Sequence, residues 1–387
     1  MEFDIIIVGG GLVGASLAAS LRDSGLKLAL VESGPSPQAS TAEDDWDARI
    51  YAFTPGNVQF LHECGAWQRL DMSRVQQVEE MRVFGDTGAK LNFSAYQLGV
   101  PEMAFILESR LLHEALWQGL REQENLTLLH PAQCAALAID SDAANLTLKD
   151  GREVKAKLIV GADGRDSWVR HQTVMPEVPT PYNQHGLVAN FTVSKAHRGI
   201  AYQWFTEDGI LALLPLPGRR ISIVWSVTPE KSAELLALSH EELCARVAEA
   251  SHHTLGELKV ITAPAAFALR VLNLAHICKP RLALVGDAAH NVHPLSGQGV
   301  NLGLRDVREL SQTLMQRGAL DCGDLRLLRR YEKARQDDIL SMQLTTDALK
   351  HLFVNSNPVL RTLRNVGMAA TNAIVPLKKM LARHALN

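Results

Sequence analysis

The sequence has few cysteines, few aromatic residues and little net charge, and each shortage excludes a class of protein. Five cysteines in 387 residues, widely spaced and without a C-x-x-C pair, argue against a disulfide framework or a structural zinc site. The formal charge of −3, with scattered basic residues, gives no electrostatic footprint for nucleic acid. No apolar run approaches the roughly 20 residues that span a bilayer, and acidic Glu2 and Asp4 stand where a secretory signal is basic. We expect a cytoplasmic protein with free thiols.

The N-terminal segment predicts a dinucleotide site. A glycine motif, G-x-G-x-x-G, follows a short β-rich run, opens a helical pattern and precedes a second predicted strand that ends at Glu32. Gly9 permits the tight turn, Gly11 lets a pyrophosphate approach the backbone, and Gly14 lets helix and strand pack closely. Glu32 is placed to accept hydrogen bonds from an adenosine ribose. An acidic residue there disfavours a 2'-phosphate, so FAD or NAD is expected rather than NADP.

A second glycine-rich segment, residues 286–303, joins a predicted buried parallel strand (281–285) to a predicted helix (304–315). Its sequence is GDAAHNVHPLSGQGVNLG. Glycines such as Gly297 and Gly299 let backbone approach a ligand, and the N–H groups at a helix start favour an anionic or electron-rich group. The segment therefore predicts a ligand-binding loop.

A third motif, GADGRDSWVR at residues 161–170, follows a predicted hairpin over residues 146–160. The three motifs together resemble the single-component flavoprotein aromatic hydroxylases. The form GDAAHxxHPLxGQGxNLGxxD is similar to that of the ubiquinone-biosynthesis hydroxylases, although Ser296 stands where those enzymes usually carry alanine. The motifs occur in family order and cover most of the chain.

The resemblance implies an α/β fold like that of para-hydroxybenzoate hydroxylase, with tightly bound, non-covalent FAD and NAD(P)H as a transient co-substrate. In this fold a Rossmann-like FAD-binding domain is joined to an antiparallel β-sheet substrate domain and C-terminal helices. The predicted cofactor-binding residues are Gly9, Gly11, Gly14, Glu32, Arg49, Arg110, Asp163, Asp287, Pro294, Gly297, Gln298, Gly299, Val300 and Asn301.

Some of these positions have alternative interpretations. Arg49 and Arg110 either approach the flavin, as the resemblance implies, or form surface salt bridges. His290 and His293 form H-x-x-H, but Pro294 follows in a loop and no third ligand is evident, so a metal site is not expected. These two histidines either pack beside the flavin or handle protons. The sequence does not identify a catalytic residue. The weak candidates for that role are His290, His293 and Pro294.

The central segment, residues 184–227, alternates apolar and polar residues, which predicts an antiparallel sheet half buried on one face. Its aromatic residues either wall a substrate pocket or are core packing. A helical stretch, residues 229–251, is expected to cover the sheet. The last helical residues, 360–386, mix basic and apolar side chains and either dock on the body or face a membrane or partner.

We predict a discontinuous FAD-binding domain (1–75, 101–178 and 270–340), a substrate-binding domain (76–100 and 179–269) and a C-terminal helical segment (341–387).

The expected activity is hydroxylation of a polyprenylated phenol or benzoquinol intermediate of ubiquinone biosynthesis by NAD(P)H and O₂, through a flavin 4a-hydroperoxide. Two alternatives remain: a flavin-dependent reductase or dehydrogenase of an isoprenoid or other small molecule, and a non-catalytic flavin-binding member of a biosynthetic complex. Expected partners are the small-molecule substrate, O₂ and other ubiquinone-biosynthesis proteins, with peripheral membrane contact and homo-oligomerisation left open.

Overall fold

The computed structural model describes residues 1–38, 45–85, 88–173, 175, 180–206, 209–272, 274–291 and 298–354. In this part of the chain the α-helices are α1 (Leu12–Ser20), α2 (Pro55–Glu63), α3 (Ala95–Leu98), α4 (Ser109–Arg121), α5 (Trp168–Gln172), α6 (Pro229–Ala237), α7 (His240–Ala250), α8 (Gly299–Met315) and α9 (Leu325–Val354). The strands are β1 (Glu2–Val8), β2 (Leu28–Val31), β3 (Ile50–Phe53), β4 (Gln76–Val78), β5 (Glu80–Phe84), β6 (Lys90–Ser94), β7 (Ala104–Glu108), β8 (Leu126–Leu129), β9 (Cys134–Ile139), β10 (Ala144–Leu148), β11 (Glu153–Gly161), β12 (Thr180–Val193), β13 (Ile200–Thr206), β14 (Gly209–Leu216), β15 (Arg220–Val227), β16 (Leu258–Val260), β17 (Ala265–Val271), β18 (Cys278–Lys279) and β19 (Leu282–Leu284).

The first sheet is built around β1, whose central residues Ile5, Ile6 and Ile7 are fully buried. Its order is β18-β19-β11-β1-β2-β8, and the five strands from β19 to β8 run parallel. A run of apolar β-branched residues is typical of a strand covered on both faces by helices. The predicted hairpin is confirmed as β10 and β11, which pair antiparallel.

The carboxyl ends of the parallel strands bring the three sequence motifs to one edge of this sheet. Strand β1 leads into the first glycine motif, β11 ends at Gly161, and β19 leads into Gly286. Ligands of open α/β sheets bind at such an edge. Helix α1 ends at Ser20, because a turn follows in which the Ser24 hydroxyl donates to the Leu21 carbonyl.

The second sheet has the order β16-β12-β15-β14-β13-β5-β6, with β17 also paired to β12. All its neighbours are antiparallel except β13 and β5, which are parallel. Helices α6 and α7 cover one face, as predicted, through Leu235, Leu243 and Val247. The expectation of burial on one face alone is wrong for β13, where residues 200–205 are all buried, because the other face packs on further parts of the chain.

A small antiparallel sheet, β3-β7-β4, lies between the two large sheets. Its residues Ile50 and Ile106 form one apolar cluster with Ala201 and Leu216 of the second sheet. Strand β4 belongs to the predicted substrate domain, yet it pairs with β7 of the predicted FAD-binding domain. The boundary proposed at residues 75/76 therefore falls inside a sheet, and the division into domains stays a prediction.

Candidate cofactor site

The phosphate loop, residues 9–14, has a backbone that only glycine permits at two positions. Gly9 has φ +103°, and a Cβ there would collide with the Ala162 carbonyl of the third motif. A Cβ on Gly14 would collide with the Gly9 carbonyl oxygen. Around Gly11, in contrast, a Cβ would meet no atom of the described residues within 4 Å. The loop is thus tight on its protein side and open at Gly11, where helix α1 begins, and this shape fits a pyrophosphate.

Two side chains from α4 hold the Gly10 carbonyl. It accepts hydrogen bonds from His113 Nε2 (2.7 Å) and from the indole N–H of Trp117 (2.9 Å), which is fully buried. Burial lowers the pKa of His113. Sequence reasoning missed both residues, since they lie about a hundred positions from the loop and carry no local signal.

Glu32 stabilises the same loop from the end of β2. Its carboxylate accepts the backbone N–H groups of Gly10 (2.7 Å) and Gly34 (2.8 Å). The side chain remains partly exposed, and two carboxylate oxygens can accept about four hydrogen bonds. Acceptor capacity therefore remains for a ribose.

The Asp287 turn, residues 286–291, follows β19 and packs against the phosphate loop. Gly286 has φ +59°, and Val13 of α1 lies 3.2 Å from the position of its missing Cβ. Asp287 itself is accessible from the cleft, although protein surrounds it on its other sides. This partial burial raises the pKa of Asp287 against the opposing effects of His290 and Arg165. Partial burial of a carboxylate costs free energy, and a cofactor that donates hydrogen bonds to Asp287 from the open side would offset that cost.

Helix α8 begins beside this carboxylate. A Cβ on Gly299 would have Asp287 Oδ1, at 4.0 Å, as its nearest contact. In a helix that begins at Gly299, the N–H groups of Gly299 and Val300 have no acceptor within the helix. The side chain of Gln298 accepts weakly from Arg305 (3.4 Å). The structure therefore brings Asp287, Gln298, Gly299 and Val300 together.

The side chain of Asn301 does not face the cleft, and the assignment of Asn301 as a cofactor-binding residue stays a prediction. It is fully buried: Oδ1 accepts from the Thr54 N–H (3.0 Å) and from Asn57 Nδ2 (2.9 Å), while Nδ2 donates to the Ala52 carbonyl (2.7 Å). Asn301 thus fastens α8 to β3 and α2 instead of facing the cleft.

Asp163 has a structural role inside the third motif, and its assignment as a cofactor-binding residue stays a prediction. Its carboxylate accepts from the Ser167 hydroxyl (2.6 Å) and the Val169 N–H (3.0 Å). The third motif acts on the cofactor site through Arg170, which is buried and donates to the Ala288 carbonyl of the Asp287 turn (3.0 Å). The family motif predicted that this segment belongs to the cofactor site. It did not predict the hydrogen-bond partners of Asp163 and Arg170.

The two predicted arginines differ. Arg110 forms an ion pair with Asp45 (2.9 Å) and donates to its carbonyl, which favours the salt-bridge alternative over a flavin contact. Arg49 is exposed, and no carboxylate of the described residues pairs with its guanidinium. Next to it, burial and the nearby Asp287 carboxylate raise the pKa of Tyr51. Tyr51 thus lies near Asp287 and near Arg49, a neighbourhood that spacing alone did not predict for Tyr51.

Three of the predicted residues, His293, Pro294 and Gly297, lie outside the described residues, as does Ser296. The other histidine candidate, His290, is buried, and its Nε2 donates to Asp306 Oδ2 (2.6 Å). Asp306 also accepts the Gly286 N–H (2.9 Å) and Arg335 Nε (2.7 Å). Burial alone would raise the pKa of Asp306, but His290 and Arg335 hold it below its ordinary value.

The face of the second sheet opposite α6 and α7 carries a row of half-buried apolar residues. We call it the pocket face: Val188, Val224 and Ala212 pair across β12, β15 and β14. At its edge Phe267 is 41 % exposed, and Arg165 of the third motif donates to the neighbouring Ala268 carbonyl (3.0 Å). Half-exposed apolar side chains in central strands indicate a cavity wall, here continuous with the cofactor site through Arg165.

The fold and this site define a dinucleotide-binding oxidoreductase whose cofactor geometry fits FAD. The phosphate loop is open where a pyrophosphate would lie, Glu32 has acceptors left for a ribose, and Asp287 faces open space beside a helix start. No helix in the described part of the chain has the length and apolarity needed to cross a membrane.

Comparison with known proteins supports the assignment of this site to FAD. The family described as FAD binding domain matches residues 2–343. Ubiquinone hydroxylase UbiL of Rhodospirillum rubrum is 36 % identical, over 99 % of this chain and 89 % of its own length. The 3-demethoxyubiquinol 3-hydroxylase of Escherichia coli is 33 % identical over 99 % and 98 %, and the human ubiquinone biosynthesis monooxygenase COQ6 is 30 % identical over 99 % and 92 %. The chain belongs to this FAD-binding family and, within it, to the ubiquinone-biosynthesis hydroxylases.

Solved structures show the same fold. PqsL, a probable FAD-dependent monooxygenase from Pseudomonas aeruginosa, superposes with a TM-score of 0.81 at 23 % identity, covering 96 % of this chain and all of its own. The p-nitrophenol 4-monooxygenase PnpA from Pseudomonas putida gives 0.81 at 18 % identity, covering 100 % and 98 %. The protein is an FAD-dependent monooxygenase of a family in which NAD(P)H is the typical co-substrate.

Proposed function

We propose that the protein hydroxylates the aromatic ring of a polyprenylated phenol or benzoquinol intermediate of ubiquinone biosynthesis. The observation that carries the proposal is the match of the whole chain, at 30–36 % identity, to hydroxylases and monooxygenases named for ubiquinone. The match includes the second sheet as well as the cofactor site, because it extends over 99 % of the chain.

The pocket face supports a substrate that is mostly apolar. Val188, Ala212 and Val224 offer no charge, and the polar neighbours Ser226 and Gln203 on the same face are almost fully buried. An aromatic ring with an isoprenoid tail would gain about 25 cal/mol for each Å² of apolar surface removed from water. An anionic substrate would find no cationic partner in this row of side chains.

When bound, FAD supplies the electrons taken from NAD(P)H and the activated oxygen that reaches the ring. The chain's own residues bind and orient it. The phosphate loop would hold the pyrophosphate, Glu32 the ribose and Asp287 the ribityl chain, while the N-terminus of α8 would stabilise negative charge on the reduced ring. We propose that Gln298 and Gly299, at the start of α8, border the isoalloxazine, and that the apolar pocket face excludes water from it.

We further propose that a cytoplasmic protein of this kind meets its substrate at a membrane surface. A long polyprenyl chain partitions into a bilayer, since each buried CH₂ contributes about 0.8 kcal/mol. Contact with other enzymes of the pathway, or with a second copy, would shorten the route of such a substrate between active sites.

The proposal is tested by deleting the gene and identifying the lipid that accumulates. A ubiquinone precursor that lacks one ring hydroxyl is the expected result, and it also identifies the ring position. With purified enzyme, ¹⁸O₂ should label the product. Product oxygen drawn only from water, or reduction of a double bond without O₂ consumption, would instead indicate a dehydrogenase or reductase. An enzyme that binds FAD but turns over no phenol would indicate the non-catalytic alternative.

A further inference from the structure

The most completely buried acidic group of the cofactor region does not face the cofactor. Asp306 of α8 has no exposed surface, yet its carboxylate accepts three hydrogen bonds. Burying a carboxylate is costly unless partners compensate. The identity of those partners shows what the buried charge holds in place.

On one side, Asp306 Oδ2 fixes both ends of the Asp287 turn. It accepts the N–H of Gly286, the first residue of the turn, at 2.9 Å, and Nε2 of His290, near its end, at 2.6 Å. Asp287 lies between these two contacts along the chain. The turn also has a positive φ at Gly286. Its conformation therefore depends on the glycine at position 286 and on the two contacts with Asp306.

On the other side, Asp306 Oδ1 accepts Arg335 Nε from α9 at 2.7 Å. Arg335 is itself buried and also pairs with Asp338 (2.7 Å), which in turn pairs with Arg305 of α8 (2.9 Å). Helix α9 makes a second contact with the same region, because the buried Tyr331 hydroxyl donates to the Leu284 carbonyl (2.8 Å), two residues before the turn.

We propose that Asp306 is a positioning residue which, together with Arg335, couples helix α9 to the Asp287 turn and so directs the Asp287 carboxylate toward FAD. Helix α9 is then part of the cofactor site, although neither Asp306 nor Arg335 faces the cleft. A carboxylate is required because both of its sides receive donors. An asparagine presents its oxygen to only one side and a second set of donors to the other. The inference rests on FAD binding and is independent of the substrate.

The test compares Asp306→Asn with Asp338→Asn. Each removes one carboxylate that is bonded to Arg335, but Asp338 has no contact with the Asp287 turn among the hydrogen bonds of the described residues. FAD is removed from both purified variants and from the wild type, and FAD affinity is measured by titration of the apoproteins, with the melting temperature measured in parallel.

We expect Asp306→Asn to weaken FAD binding by about tenfold or more, the size of one lost charge-assisted hydrogen bond. The FAD affinity of Asp338→Asn should stay within about twofold of the wild-type value. This should hold even if its melting temperature falls by as much as that of Asp306→Asn. The absorption spectrum of FAD-saturated Asp306→Asn should also shift, because Asp287 is displaced beside the flavin. Equal loss of affinity in both variants, or lower stability of Asp306→Asn with unchanged affinity and spectrum, overturns the proposal.

Arg335→Lys provides a second variant that acts only from α9. Lysine keeps the charge but cannot bond Asp306 and Asp338 with a planar fork, so FAD affinity should fall by severalfold. If Asp306→Asn gives no folded apoprotein, this variant decides: unchanged affinity in folded Arg335→Lys overturns the coupling. Because no phenol is added, failure here and failure of the proposed hydroxylation are separate results.

Discussion

The phosphate loop and the pocket face use their residues in opposite ways. In the loop, function depends on side chains that are missing: a Cβ on Gly9 or Gly14 would collide with backbone, and the space at Gly11 is open. On the pocket face, the proposed contact with substrate requires only apolar side chains, so Val188, Ala212 and Val224 would permit many apolar replacements of similar size. Where only glycine fits, the sequence must carry glycine at that position, and a motif results. An apolar surface can be built from many residue types, so it produces no motif. For this reason the motifs identify the cofactor more sharply than the substrate.

The largest effect is expected from filling the pocket face. Ala212→Trp would place an indole among Val224, Val188 and Gln203 in the middle of the sheet. We expect kcat/KM for a polyprenylphenol to fall by about a hundredfold or more, with FAD content unchanged, because the substrate and not the cofactor loses its space. Flavin absorbance and steady-state hydroxylation measure the two quantities.

Leu236→Trp is the control, since Leu236 is 41 % exposed on the helix-covered side of the same domain and a larger side chain there points outward. Loss of FAD together with activity in Ala212→Trp would show that the pocket face is core and not a cavity wall.

A second comparison separates two glycines of α8. Among the part of the chain that the structure describes, a Cβ on Gly299 has only Asp287 Oδ1 near it, at 4.0 Å, whereas one on Gly303 would lie 2.9 Å from Val13 and 3.1 Å from the Gly286 backbone. Gly299→Val should keep the fold and weaken FAD binding by about tenfold or more, because the side chain enters the space beside Asp287.

Gly303→Val should instead lower stability by roughly 1–3 kcal/mol, as overpacking does. Circular dichroism melting and FAD titration distinguish the two variants. Unchanged flavin content and unchanged hydroxylation in Gly299→Val would place the start of α8 away from the flavin ring.

Glu32→Ala probes the loop from its outer side. The variant loses the acceptors for Gly10 and Gly34 and those proposed for the ribose, each hydrogen bond worth roughly 0.5–1.5 kcal/mol. FAD affinity should fall by about tenfold, and acid should still release FAD and not FMN from the wild type. Ser33→Ala removes only a hydroxyl that donates to Glu32 at 3.2 Å, and it should bind FAD almost normally. Equal affinities for the two variants would contradict the role of Glu32.

The smallest effect concerns Asp287 and pH. Its folded-state pKa lies above the ordinary value of 3.8, so the ionised carboxylate destabilises the apoprotein as pH rises from about 4 through that raised pKa, and the penalty is then constant. Asp287→Asn should therefore raise the melting temperature of the apoprotein by about 1–3 °C at neutral pH, while FAD affinity falls.

The gain should vanish as the pH approaches 4, where the wild-type carboxyl is protonated as well. Melting curves of both apoproteins between pH 4 and pH 7 check the sign. A variant that is less stable than the wild type at pH 7 would show that the Asp287 carboxylate is stabilised by protein groups and not reserved for the cofactor.

Much of the cofactor site was predictable because its rules are local. A glycine at position 9, 11 or 14 has a steric reason that can be stated from the sequence, and Glu32 follows from its place after a strand. Asp163 was assigned to the right segment, but its carboxylate bonds to Ser167 and Val169. A short polar side chain can turn to its own backbone or to a ligand, and the sequence does not distinguish these outcomes.

The contacts that sequence reasoning missed are distant ones. Trp117 reaches Gly10 across 107 positions, and Arg335 reaches Asp306 across 29. Each requires two elements to be packed before the residues meet. The burial of β13 on both faces was likewise not predictable from its alternating pattern, because it depends on what covers the second face.

The pairing of β1 with β11 and of β11 with β19 also sets the time at which the cofactor can be loaded. The phosphate loop leaves the ribosome among the first residues, but the edge of the sheet that completes its cleft needs Gly161, the turn at Asp287 and finally Arg335. At about 5–20 residues per second, the remaining 320 or so residues take roughly 15–60 s to synthesise. During that interval the cleft is incomplete, so the nascent chain can take up FAD in its final geometry only after Arg335 has been synthesised.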